Sequence, residues 1–133
     1  MTYYVDMDGV IANFHKEPYS YNNAISKEWI ANLEPFVHNI DIIKNIIKAK
    51  HNVYILSKAA SEEAKQGKIE WLHKYLPEIN VTNIIIIVGN GKKVDYIQEQ
   101  GILIDDDMKN CRPWGKAGMT YIHLETKGQK IEL

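Results

Sequence analysis

The stretch YYVDMDGVIANF, residues 3–14, decides how the rest of the chain reads. A run of aromatic and β-branched residues ends in two acids two positions apart, Asp6 and Asp8, followed by a glycine and a second apolar segment. Residues 2–7 read as a buried strand, and carboxylates resist burial unless they are paired or hold a metal. Taken alone, Asp-x-Asp-Gly is more often a turn or a helix cap, because both residue types are common turn formers. The choice between a solvated turn and the floor of a site rests on the residues at the ends of the other strands.

Four further runs, VYIL (53–56), IIIIV (84–88), ILI (102–104) and MTYIHL (119–124), are short and continuously apolar, as strands buried on both faces are. Helical spacing lies between them. Ile40, Ile43, Ile46 and Ile47 share one face of 38–50, and Ile69, Leu72 and Leu76 share a face of 62–76, which Pro77 ends. Lys93 to Gln100 predicts a third, shorter helix with Gly101 as its C-terminal cap. Alternating strands and helices predict an α/β Rossmann-like sandwich around a mostly parallel five-stranded sheet. Residues 14–37, with two prolines and several asparagines, fit this alternation poorly. They read as a small cap insertion after the first strand, with a short helix at 26–32. TKG between YIHLE and QKIEL predicts a C-terminal hairpin.

With 133 residues, 45% of them hydrophobic, the chain fits one domain over 1–133. Its formal charge of −1 provides no global basic field for a nucleic acid polymer or an anionic membrane. Cys111 is the only cysteine, which excludes an intramolecular disulfide and fits a reducing compartment. No signal peptide or membrane-spanning run is present in the sequence, so the cytoplasm is the expected location. A homodimer is left open.

Ligands of open parallel sheets bind beyond the carboxyl ends of the strands. Asp6 and Asp8 follow the first strand, Ser57 and Lys58 the second, GNGKK (89–93) the third, and Asp105, Asp106 and Asp107 the fourth. Carboxylates and a carbonyl suit a hard cation such as Mg²⁺, and a hydroxyl with lysines suits phosphate oxygens. A lone Ser after a strand is often a cap, and an acidic triplet often a helix's first turn. Their joint occurrence, each directly after its own strand, favours one shared site.

The pattern hhhDxDGV, a strand ending in Ser, a Lys and then hhhDD resembles the haloacid dehalogenase (HAD) superfamily of phosphotransferases over nearly the whole chain. DMDGVIANF, LEPF, VYILSK, KIEWLHKYLP, GKKVDYI and LIDDDMKN, with Trp114 and Gly118, are similar to its 5′(3′)-deoxyribonucleotidase-like branch. The resemblance implies Asp6 as nucleophile and Asp8 as general acid and base, with Asp6, Asp8 through its backbone carbonyl, and Asp105 and Asp106, one of them as a direct ligand, around Mg²⁺. It implies Ser57 on the phosphoryl group, with Lys58 where the branch often has a second hydroxyl. Lys93 matches the phosphate-binding lysine, and Lys92 is its alternative. In the same way Phe14, Trp29 and Ile30 correspond to residues enclosing the base of a nucleoside monophosphate. Lys68 shares a helix face with Trp71, Leu72 and Tyr75, so it either points to the site or snorkels from a buried helix.

Tyr19 and Tyr21 are candidate substrate contacts that nothing separates from surface tyrosines. Trp71 and Trp114 read as packing residues. The histidines at 15, 38, 51, 73 and 123 lack metal-ligand spacing, and only His15 is near the expected site. Three alternatives remain: a HAD phosphatase for another small phosphomonoester, a non-catalytic metal- and phosphate-binding module, and a receiver domain. The last would place its acid pair after the first strand, not the fourth.

Overall fold

The computed structural model describes residues 1–14 and 20–133. Its sheet is built from β1 (Thr2–Val5), β2 (Asn52–Ala59), β3 (Ile84–Val88), β4 (Ile102–Asp105) and β5 (Tyr121–His123), all parallel, in the order β3-β2-β1-β4-β5. β1 sits at the centre, and its residues alternate between two cores. Tyr3 and Val5 face one side, where Ile40 and Ile43 of α3 (Val37–Lys48) and Trp71 and Leu72 of α4 (Glu62–Tyr75) cover them. Tyr4 faces the other, against Cys111 and Trp114 of α5 (Met108–Lys116). Helices on both faces make this the expected three-layer α/β sandwich.

The helix ends obey local chemistry. Ser61 caps α4 by accepting from the Ala64 N–H at 3.0 Å, and Glu62 and Glu63 sit in the first turn, where the helix dipole favours negative charge. Asp107 caps α5, accepting from the Lys109 N–H at 2.9 Å. Burial in this core pushes the Cys111 thiol up to about 12.

Within the expected insertion the described part holds two short helices, α1 (Tyr21–Ala24) and α2 (Lys27–Ala31). It docks on α4: Trp71 donates to the Leu33 carbonyl at 2.8 Å and Ser61 to the Ile25 carbonyl at 2.9 Å. His15 and Tyr19 lie outside the described residues. Tyr21 is exposed, and Trp71 and Trp114 are wholly buried.

Two expectations need correction. Residues 93–100 form no α-helix, only a 3-10 turn over Lys93–Tyr96. Gly101 therefore caps nothing; a Cβ there would press into the Thr2 carbonyl and the Tyr4 ring, each 2.8 Å away, so it is the close approach of β1 that requires glycine. The C-terminal hairpin also fails to form, since β5 pairs with β4 and no strand comes after it. The tail instead crosses to the start of α3, where the Ile131 N–H donates to Asn39 Oδ1 at 2.9 Å. The alternation in QKIEL reflects Ile131 filling the core rather than a ladder.

Candidate active site

The loop after β1 turns tightly, with the N–H groups of Ile11 and Ala12 both donating to the Met7 carbonyl and Gly9 at φ +79. This turn carries Asp6 and Asp8 out of the sheet at its carboxyl edge. Asp6 is 7% exposed and Asp105, closing β4, is wholly buried. Between them lies the ammonium of Lys93, 2.9 Å from Asp6 Oδ1 and 2.7 Å from Asp105 Oδ2. Lys93 is itself buried, and the two carboxylates raise its pKa against the effect of burial. Asp105 Oδ1 accepts the Asp107 N–H at 2.9 Å, and Oδ2 also accepts from Asn110 at 3.1 Å. Burial and the charge of Asp6 push the Asp105 carboxyl up to about 7, with Lys93 opposing.

Carboxylate oxygens of Asp6, Asp105 and Asp106 lie within 4.8 Å of one another. Three oxygen donors converging this closely, two of them on buried residues, suit a hard divalent cation. The carboxylate of Asp8 turns away from this group. Its Oδ2 accepts from Lys68 Nζ at 2.8 Å, and its Oδ1 is buried without a hydrogen-bond partner among the described residues. Burial raises the Asp8 carboxyl above the usual carboxylate range, Lys68 opposes this, and Asp6 adds to it.

Lys68 neither snorkels nor reaches the open cleft. It is 1% exposed, and its ammonium donates to Asp8, to Ser57 Oγ at 2.8 Å and to the Lys58 carbonyl. Ser57 is fully buried behind it, so the structure sets that hydroxyl against Lys68 and not in the cleft. A cleft of about 230 Å³ is lined by Asp6, Asp8, Phe14, Lys58, Lys93 and Asp106, among others. Lys92 is exposed and lines a smaller hollow beside it, with Lys58 and Lys109.

Phe14 and Trp29 meet edge to face with ring centroids 5.5 Å apart, and Lys68 Nζ stands 5.7 Å from the Phe14 centroid. Ile30, expected in the same pocket, is instead fully buried against Gly67 of α4. Helical phase explains the difference: adjacent residues of a short helix point to different sides, and α2 turns Ile30 inward.

Two contributors went unnoticed in the sequence. Asn110 lay within LIDDDMKN, where its spacing of five from Asp105 places it on the first turn of α5. Lys127, read as a hairpin turn, makes an ion pair with Asp106 and lines the cleft.

An all-parallel sheet with its acids gathered beyond the ends of β1 and β4 is the layout of HAD-type α/β hydrolases. A sequence model of the family described as 5′ nucleotidase, deoxy (Pyrimidine), cytosolic type C protein matches residues 16–126. The match spans most of the chain, which therefore belongs to this family of nucleotidases, phosphoric monoester hydrolases of HAD type. Ser57, Lys68, Lys93, Asp105 and Asp106 fall inside the matched span; Asp6 and Asp8 precede it. No curated protein matches the chain. Among the described residues no helix is long and apolar enough to cross a membrane.

Proposed function

We propose that the protein is a Mg²⁺-dependent 5′-nucleotidase of the cytoplasm that hydrolyses nucleoside monophosphates through an aspartyl-phosphate. The observation that carries this reading is the shared lysine: Lys93 bridges Asp6 and Asp105 at 2.9 and 2.7 Å on the wall of the cleft. Asp6 is the carboxylate a phosphorus atom in that cleft would meet, and the Lys93 ammonium lies against its Oδ1. Asp6, Asp105 and Asp106 are the side chains that would hold Mg²⁺, which supplies charge neutralisation at the phosphoryl oxygens.

In the first step Asp6 attacks phosphorus, and the bond from phosphorus to the ester oxygen breaks. Asp8, its pKa raised by burial, delivers a proton to the departing alkoxide. In the second, Asp8 takes a proton from water, whose oxygen attacks phosphorus and releases Asp6 as carboxylate. Lys68 holds the Asp8 carboxyl in place for both transfers. Lys93 and Lys58 face the phosphate, and Phe14 and Trp29 offer an aromatic wall for a base, where stacking contributes roughly 1–3 kcal/mol.

The test is a substrate panel. With Mg²⁺, ribo- and deoxyribonucleoside 5′-monophosphates are hydrolysed with higher kcat/KM than p-nitrophenyl phosphate or a small sugar phosphate. Turnover of the small esters alone would leave a phosphatase without nucleotide preference. No turnover of any would overturn the catalytic reading.

A further inference from the structure

Lys127 lies on a tail that is stitched to the loop carrying Asp6 and Asp8. The Gly128 N–H donates to the Gly9 carbonyl at 2.8 Å, and His38 Nε2 pairs with the Gly128 carbonyl at 2.8 Å. Asn39 binds both sides of the junction, donating to the carbonyls of Val10 and Gln129 at 2.8 Å each. Gln129 Oε1 ties the turn itself, accepting from the N–H groups of Glu125 and Thr126 at 2.8 and 3.1 Å. The ammonium of Lys127 then pairs with Asp106, whose side chain is only 6% exposed. Gly9 lies directly beneath that pair: a Cβ there would collide with the Asp106 carboxylate and stand 3.0 Å from Lys127 Cδ.

We propose that Lys127 is a positioning residue that competes with the divalent cation for Asp106 and so sets how tightly this site holds its metal. The inference rests on the metal site of the proposed function. Asp106 offers one of the three oxygens of the cation cluster, and the Lys127 ammonium is already on that carboxylate. A divalent ion beside an ammonium is repelled strongly at such range, so metal entry displaces Lys127 from Asp106. The lysine's half-exposed stem gives it somewhere to go. Without metal it offsets part of the repulsion that Asp106 adds to the acid cluster, as Lys93 opposes that between Asp6 and Asp105.

Magnesium chloride titrated calorimetrically into the metal-free full chain at constant ionic strength tests this. Lys127→Met binds Mg²⁺ about tenfold more tightly than the parent, and the gap narrows at high salt as the charges are screened. Lys127→Gln shifts affinity in the same direction, and thermal melts report whether each variant is folded. Lys130→Met, the same charge change at an exposed position of the tail, alters the affinity less than twofold. Equal or weaker Mg²⁺ binding by both Lys127 variants would overturn the inference while parent phosphatase activity leaves the proposed function standing. Absence of Mg²⁺ binding in the parent and variants alike would overturn both.

Discussion

The two ends of the same sheet bury polar groups in different ways. At the carboxyl edge most of the buried polar groups are charged side chains, Asp6, Asp105, Lys68 and Lys93, each within bonding distance of an opposite charge, with the neutral Ser57 hydroxyl accepting from Lys68 beside them. At the amino edge they are neutral. The Tyr4 hydroxyl donates to the Glu99 carbonyl at 2.7 Å and accepts the N–H groups of Gln98 and Glu99 at 3.0 and 2.9 Å, while Trp114 donates to the Gly101 carbonyl at 3.1 Å. Burying ions is a poor route to stability, because desolvation offsets most of the attraction, whereas neutral hydrogen bonds between well-packed groups cost little to bury. The contrast fits the proposed function, with chemistry at one edge and cohesion at the other.

The largest effect that could break this assignment is at Asp6. Asp6→Asn removes the proposed nucleophile while keeping the shape, so turnover falls by at least about 10³-fold in a phosphate-release assay. Its melting temperature stays close to the parent's, because the lost attraction to Lys93 is compensated by relief of the repulsion from Asp105. Retained activity would remove Asp6 from the mechanism, and a collapse of the fold would mean that the carboxyl edge is structural after all.

Lys68 tests the boundary between the two roles, since it supports Asp8 and yet is buried in the core. Lys68→Met keeps the stem and removes the charge. Breaking a wholly buried ion pair costs ~3–5 kcal/mol, but Asp8 retains some contact with water and can take up a proton, so about 2 kcal/mol is expected by denaturant melts. Without Lys68 opposing it, the Asp8 carboxyl rises further, and kcat falls about 10- to 100-fold. Unchanged kcat with lowered stability would return Lys68 to a purely structural role.

Legibility in the sequence divides along the same line. The strands and the acids after them were readable because burial on both faces writes a continuous apolar run, and an acid at its end breaks that run visibly, as YYVDMD does. α4 was readable from its face and from Pro77. The partner of each acid was not. Lys68 lies sixty residues from Asp8, and Lys127 twenty-one from Asp106, distances at which no periodicity connects two side chains. QKIEL looked like a strand because one buried isoleucine among polar neighbours alternates just as a strand does, and only the Asn39 contact distinguishes the two. Residues 93–100 looked helical from composition, but the chain there serves two local demands: Lys93 must turn into the site, and residues 98 and 99 must present their N–H groups to Tyr4.

That last demand gives the smallest prediction and the sharpest control. Tyr4→Phe deletes one hydroxyl and its three hydrogen bonds but keeps the ring, which stacks on Tyr54 at 4.9 Å and meets Trp114 at 5.0 Å. Gln98 and Glu99 are exposed, so water can replace the hydroxyl at their N–H groups, and the loss is held to about 1–2 kcal/mol. Because this edge lies at the opposite end of the sheet from the proposed site, kcat/KM should remain within about twofold of the parent while the denaturation midpoint falls. A Tyr4→Phe enzyme with normal stability would show that solvent serves these amides as well as the phenol does. One with impaired turnover would mean that the 98–101 segment transmits strain along β4 to Asp105, and the two edges could no longer be treated as independent.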